Sequence, residues 1–187
     1  MENHVKISFK YLLTLPTDTI KLEERLRLLE QNICVKKETV SVMVFGSYEP
    51  EKCLNKLEKL CSGLRKEGWE KARLVRDIPN NDGDAYQKSV RALYDSQVNL
   101  FVFMKDCPQG GVSIEARHVL NDKKLWEKSC FMVGSNGSKT YISGLLEESK
   151  EYNRVYRREF KHNDDTSLLR QANSAILSVS KSSRYFG

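Results

Sequence analysis

The run Val98-Asn99-Leu100-Phe101-Val102-Phe103-Met104 restricts what this chain can fold into more than any other stretch. It is almost wholly apolar, long enough for one buried strand and too short for a helix. Its β-branched and aromatic content favours an extended backbone. The loop Lys105-Asp106-Cys107-Pro108-Gln109 follows, then Gly110-Gly111, which can adopt backbone angles closed to other residues. Val112, Ala116, Val119 and Leu120 then recur at the period of a helix packed on one face. The unit is a strand, a glycine-rich turn and a helix, with Glu115 in the first or second helical turn. Ligands of open parallel sheets bind outside the carboxyl ends of the strands, which makes Glu115 a candidate for chemistry. An acidic residue there also complements the helix dipole without any further role.

The same alternation runs through the rest of the chain. Ser41-Val42-Met43-Val44-Phe45 reads as a strand ending in Gly46-Ser47-Tyr48-Glu49-Pro50. A helix follows, with Cys53, Leu54, Leu57, Leu60, Cys61 and Leu64 on its core side and Gly68 as terminator. Ala72 to Arg76 is a second strand, followed by Asp77, and Asp84 to Asp95 a helix with Tyr86, Val90 and Leu93 facing the core. Ser129 to Val133 is a fourth strand, 134–138 a flexible loop and 140–150 a short helix. Val155 to Phe160 is a more polar edge strand. Asp164 or Asp165 then caps a helix carrying Leu168, Leu169, Ala172, Ile176 and Val179.

This alternation predicts an α/β protein of three layers, α/β/α, around a five-stranded, mainly parallel sheet. Right-handed crossovers favour the flavodoxin-like strand order 2-1-3-4-5. Ahead of it, Leu22, Leu26, Leu29 and Ile33 form the stripe of an amphipathic helix. Residues 1–39 are therefore expected as an N-terminal helical extension, able to cover a sheet face or join copies in a homo-oligomer, and 40–187 as the main domain.

Composition excludes several classes. With 40% hydrophobic and 30% charged residues the chain is neither disordered nor fibrous. No apolar run approaches the length that spans a bilayer, and charges interrupt the apolar patches near the N-terminus. A cytoplasmic protein without membrane contact is expected. Five cysteines, with no Cys-x-x-Cys pair and no histidine at ligand spacing, suggest no metal site. Cys53 and Cys61 read as small hydrophobes on a helix, and Cys107 as the cysteine of the candidate site loop. The net charge of +6 is spread, densest at Arg154, Arg157, Arg158 and Lys161. A solvated strand face and a nucleic-acid phosphate contact explain that patch equally well. Neither a Rossmann fingerprint nor a Walker motif occurs.

Three features resemble the nucleoside 2-deoxyribosyltransferase superfamily and its TIR-like, NAD-cleaving relatives. One is the strand ending Val44-Phe45-Gly46-Ser47-Tyr48, with a small residue and an aromatic. Another is Tyr94-Asp95-Ser96-Gln97-Val98-Asn99-Leu100, similar to a family segment in which a carboxylate precedes the third strand. The third is Gly110-Gly111-Val112-Ser113-Ile114-Glu115-Ala116, similar to the Gly-Thr-x-x-Glu segment carrying the nucleophilic glutamate. The resemblance spans roughly residues 40 to 135 and departs from the family pattern at Val112 and Ser113.

The resemblance implies cleavage or transfer at the N-glycosidic bond of a nucleoside, a nucleotide or NAD, the last as substrate rather than cofactor. Glu115 would act at the anomeric carbon, Tyr48 would orient it, and Asp95 would assist. Gly46, Ser47, Asp77, Gly110, Gly111 and Ser113 would line the substrate site. Two other readings stay open: a non-catalytic nucleotide-binding or protein-interaction module of the same fold, and a nucleic-acid-associated protein using the basic patch.

Overall fold

The computed structural model describes residues 35–79, 84–135 and 157–182. The expected N-terminal helix, most of the loop 134–138, the helix at 140–150 and Arg154 lie outside the described residues. Five strands, β1 (Val42–Gly46), β2 (Ala72–Leu74), β3 (Val98–Phe103), β4 (Ser129–Ser135) and β5 (Arg157–Lys161), form one sheet in the order β2-β1-β3-β4-β5. Every pairing in it is parallel. The helices are α1 (Glu51–Lys66), α2 (Ala85–Asp95), α3 (Gly110–Leu120), α4 (Lys123–Glu127) and α5 (Asp165–Ser182). This is a flavodoxin-like α/β fold, with the predicted strand order.

Side chains of a strand point alternately to its two faces, and here each face has its own core. Val42, Val44, Leu100, Val102, Cys130 and Met132 pack under α1 and α5. Met43, Phe45, Phe101, Phe103 and Phe131 pack under α2, α3 and α4. The register places Phe45 opposite Phe101 and Phe101 opposite Phe131. Their rings therefore stack across three strands, with centroids 4.7 and 5.1 Å apart. Trp126 of α4 closes the end of this row, 5.1 Å from Phe131. On the other face Gly63 lets α5 approach α1, since a Cβ there would stand 2.9 Å from Leu169 Cδ2.

Several boundaries differ from expectation. β2 ends at Leu74 and passes into a 3-10 turn, Val75–Asp77, whose Asp77 carboxylate accepts from the Leu74 amide at 3.2 Å. Tyr86, expected in the core, is 48% exposed; the buried face of α2 is Ser89, Ala92 and Leu93. α4, a single short segment capped by Asp122, is too brief to show a period. Asp164 is the cap of α5, accepting from the Ser167 amide at 2.8 Å.

Cys53 and Cys107 form a disulfide, which corrects the reading of Cys53 as a free, small hydrophobe. The residues are 54 apart in sequence, but β1 and β3 are neighbours and bring their α-carbons to 6.1 Å. Cys61 and Cys130 are buried thiols, each pushed up to about 12 by burial. Among the described residues no helix is long and apolar enough to cross a membrane.

Candidate active site

β1 and β3 lie side by side, yet their chains leave for opposite faces of the sheet, to α1 and to α3. By the rule for open parallel sheets, that divergence marks the carboxyl-end crevice where ligands of this architecture bind. Gly46 ends β1 because α1 passes close by: a Cβ there would stand 2.8 Å from Leu57 Cδ1. The Ser47 hydroxyl donates to the Glu49 carbonyl at 2.7 Å and shapes the next turn. Tyr48 then turns back, and its half-buried hydroxyl accepts from the Arg76 amide at 3.4 Å. Burial pushes the phenol up to about 12; hydrogen bonds from the Arg76 and Val75 backbone oppose the rise, and the charges of Glu115 and Asp77 add to it.

Glu115 is the sixth residue of α3 and half-buried against α2. Burial raises its carboxyl group above the usual range, and a hydrogen bond from the Ser89 hydroxyl pulls it partly back. Ser89 is itself buried. It is a site residue that sequence reasoning missed, because a serine inside a helix gives no sign of which carboxylate it faces. Asp77 lies 3.8 Å from Arg76 Nε. It also lines a cavity of about 400 Å³ beside β2, together with Arg65, Glu70, Lys71 and Arg73. The charges of two carboxylates, Glu115 on α3 and Asp77 after β2, thus both reach Tyr48.

Gly110 and Gly111 are the exposed first residues of α3, and Ser113 is half-buried in its first turn. A Cβ at either glycine would meet nothing within 4 Å. Neither has a positive φ, which corrects the expectation that their special backbone angles are used. What their lack of a side chain leaves is open space at the crevice mouth.

Asp95 does not belong to this group. It is the exposed last residue of α2 and lies at the amino ends of the strands, where its charge acts on Lys128. The six residues of β3 separate that end from the crevice by roughly 20 Å. The motif similarity placed a carboxylate before the third strand, and in a parallel sheet that position is the wrong end for chemistry.

A second polar group at the carboxyl edge was not visible in the sequence. His162, just after β5, places Nε2 2.9 Å from Asp106 Oδ2 in the loop between β3 and α3. This bond holds the Asp106 carboxyl below its usual range, helped by the charges of His162, Lys52 and Lys105. Nδ1 of His162 is buried with no hydrogen-bond partner. No group of His, Cys, Asp and Glu among the described residues could hold a metal ion. The chain matches no family model and no curated protein.

Proposed function

We propose that the crevice between β1 and β3 binds a nucleoside, nucleotide or NAD, and that Glu115 acts on its N-glycosidic bond. The observation that carries this reading is the shared electrostatic neighbourhood of Tyr48, Glu115 and Asp77 at the switch point of the sheet. N-glycosidic cleavage passes through an oxocarbenium-like centre, which a carboxylate stabilises or captures. A partly desolvated carboxylate such as Glu115 is the more basic and the better nucleophile. Burial raises and Ser89 lowers the Glu115 carboxyl, the Glu115 charge is felt at Tyr48 in the turn after β1, and the bare backbone of Gly110 and Gly111 admits a ligand closely. Asp77 is placed to contact the sugar. Asp95 has no part in the reaction.

The test is chromatographic detection of released base after incubation with NAD and a panel of nucleosides and nucleotides. Glu115→Gln is expected to lower release by about a thousandfold or more, as removal of a nucleophile does. Equal release by parent and variant would remove Glu115 from the chemistry. One observation favours a non-catalytic module instead: Glu115 is half-buried on α3 beside the buried Ser89 of α2, where it can serve helix packing alone. Thermal stabilisation by a nucleotide without base release would select that reading.

A further inference from the structure

The Cys53–Cys107 bridge joins the two segments that flank the crevice. Cys53 is in the first turn of α1, just beyond the turn that carries Ser47 and Tyr48. Cys107 lies in the loop that leads into Gly110 and α3. The two sulfurs are unequal: Cys53 has no exposed surface, whereas Cys107 is only partly buried. Two lysines, Lys52 and Lys105, lie near enough to act on the Asp106 carboxylate that adjoins Cys107.

The fold does not depend on this bridge for a core. Disulfide-dependent domains are small and lack sufficient apolar interior, while here both faces of a five-stranded sheet are filled. Cys61 and Cys130 remain as thiols within the same core. The loop carrying Cys107 also has an independent anchor, the Asp106–His162 bond. It can therefore keep its place when the bridge opens.

We propose that Cys107 is a thiol-modification site, the entry point of a reversible disulfide that clamps the crevice and exchanges with low-molecular-weight thiols. An external thiolate attacks Cys107 Sγ, the sulfur it can reach; the Sγ–Sγ bond breaks and Cys53 leaves as thiolate. The first turn of α1 favours that anion and burial opposes it, so Cys53 takes up a proton as it leaves. A second external thiolate attacks the outer sulfur of the mixed disulfide, forming an external disulfide and releasing the Cys107 thiolate. The protein disulfide gains two electrons and two protons, and the external thiols lose them. In the reverse direction an external disulfide thiolates Cys107, and Cys53 displaces the adduct to close the bridge. Opening removes the tie between this loop and α1 while the Asp106–His162 bond keeps the loop attached, so one wall of the crevice loosens without leaving its place. The consequence for activity rests on the reading given under Proposed function.

Cys53→Ser and Cys107→Ser are each incubated folded with glutathione disulfide, and adducts are mapped by mass spectrometry. Cys53→Ser is expected to carry glutathione on Cys107, about tenfold or more above any adduct on Cys53 in Cys107→Ser. Absence of the adduct on Cys107, or equal modification of both, overturns the proposal. Should a variant not fold, the parent is reduced with dithiothreitol in native buffer and alkylated. Labelling of Cys53 and Cys107 with the cooperative thermal transition retained supports a reversible bridge, and a bridge that opens only on unfolding overturns it. Base release is then measured with and without dithiothreitol. A several-fold change supports the clamp, and unchanged release with the bridge open overturns it. Adducts on Cys107 with no base release under any condition keep the modification site and discard the proposed reaction.

Discussion

The two ends of β1 and β3 differ in how the polar groups around them are tied. At the amino ends of β1 and β3 the side chains of Ser41, Gln97, Asn99 and Lys128 are tied to the backbone or to a neighbour. Asn99 has no exposed surface, and its Nδ2 donates to the Leu93 carbonyl at 3.1 Å while Oδ1 accepts from Ser96. Lys128 Nζ donates to the carbonyls of Tyr94 and Ser96, both at 2.7 Å, closing the end of α2. Gln97 and Ser41 exchange backbone and side-chain bonds at 2.8 and 2.9 Å. At the carboxyl ends of β1 and β3 lie a half-buried carboxylate and two glycines with empty space beside them. Buried polar groups that are fully bonded specify the fold. Groups left with spare capacity are available to a ligand.

The sharpest way to break this contrast is to strike the closed end. Asn99→Ala leaves the Leu93 carbonyl and the Ser96 hydroxyl buried without their partner, which should destabilise the protein by about 2–3 kcal/mol. Urea denaturation measures the loss, and ligand affinity of the folded fraction should stay within about twofold. A variant of parental stability would mean the amino-end network holds nothing together. Gly46→Ala probes the boundary between core and crevice. Its methyl group meets Leu57, which is fully buried and has nowhere to move, so a cost of about 1–2 kcal/mol is expected. Because Ser47 and Tyr48 follow directly, ligand affinity should fall as well. Unchanged affinity would detach the turn after β1 from the site.

The same contrast explains what the sequence disclosed. The apolar strands β1, β3 and β4, and the stripes of α1 and α5, follow from local period and composition, and their order follows from chirality and alternation. Tyr48 and Glu115 were legible because a strand end and a helix start mark the carboxyl edge. Asp95 was misplaced because a motif match carries no direction along the sheet. Ser89, the Asp106–His162 bond and the Cys53–Cys107 bridge stayed hidden for a different reason. Each joins residues on separate elements, 26, 56 and 54 positions apart, and no local period encodes which residue of one helix or loop faces another. The β2 boundary failed because a turn with its own side-chain bond, Asp77 to the Leu74 amide, competes with continuing the strand.

At the open end, Gly111→Ala separates stability from binding. Alanine is the better helix former, and its methyl group would meet nothing within 4 Å. The variant should gain about 0.5–1 kcal/mol in thermal or urea unfolding. If the bare backbone is what a ligand approaches, the same methyl group should weaken nucleotide binding by about tenfold. Stabilisation with affinity intact would show that the glycines serve no ligand.

The smallest effect is also the most diagnostic, and it concerns Glu115 alone. Burial raises its carboxyl group in the folded state, against the partial compensation from Ser89. Between its unfolded and folded values the native state holds more protons than the unfolded state. Stability therefore declines as pH rises through that window, and the cost is present in full above it. Glu115→Gln removes the titration and keeps an acceptor for the Ser89 hydroxyl. The variant should be slightly more stable than the parent at neutral pH, and the gap should close as pH falls below the ordinary glutamate range. Paired urea titrations across that range measure it. A group that costs stability where it is ionised is held for some purpose other than folding, in contrast to Asn99 at the opposite end. A variant less stable than the parent at neutral pH would make Glu115 one more structural tie, and the difference between the two ends of the sheet would shrink accordingly.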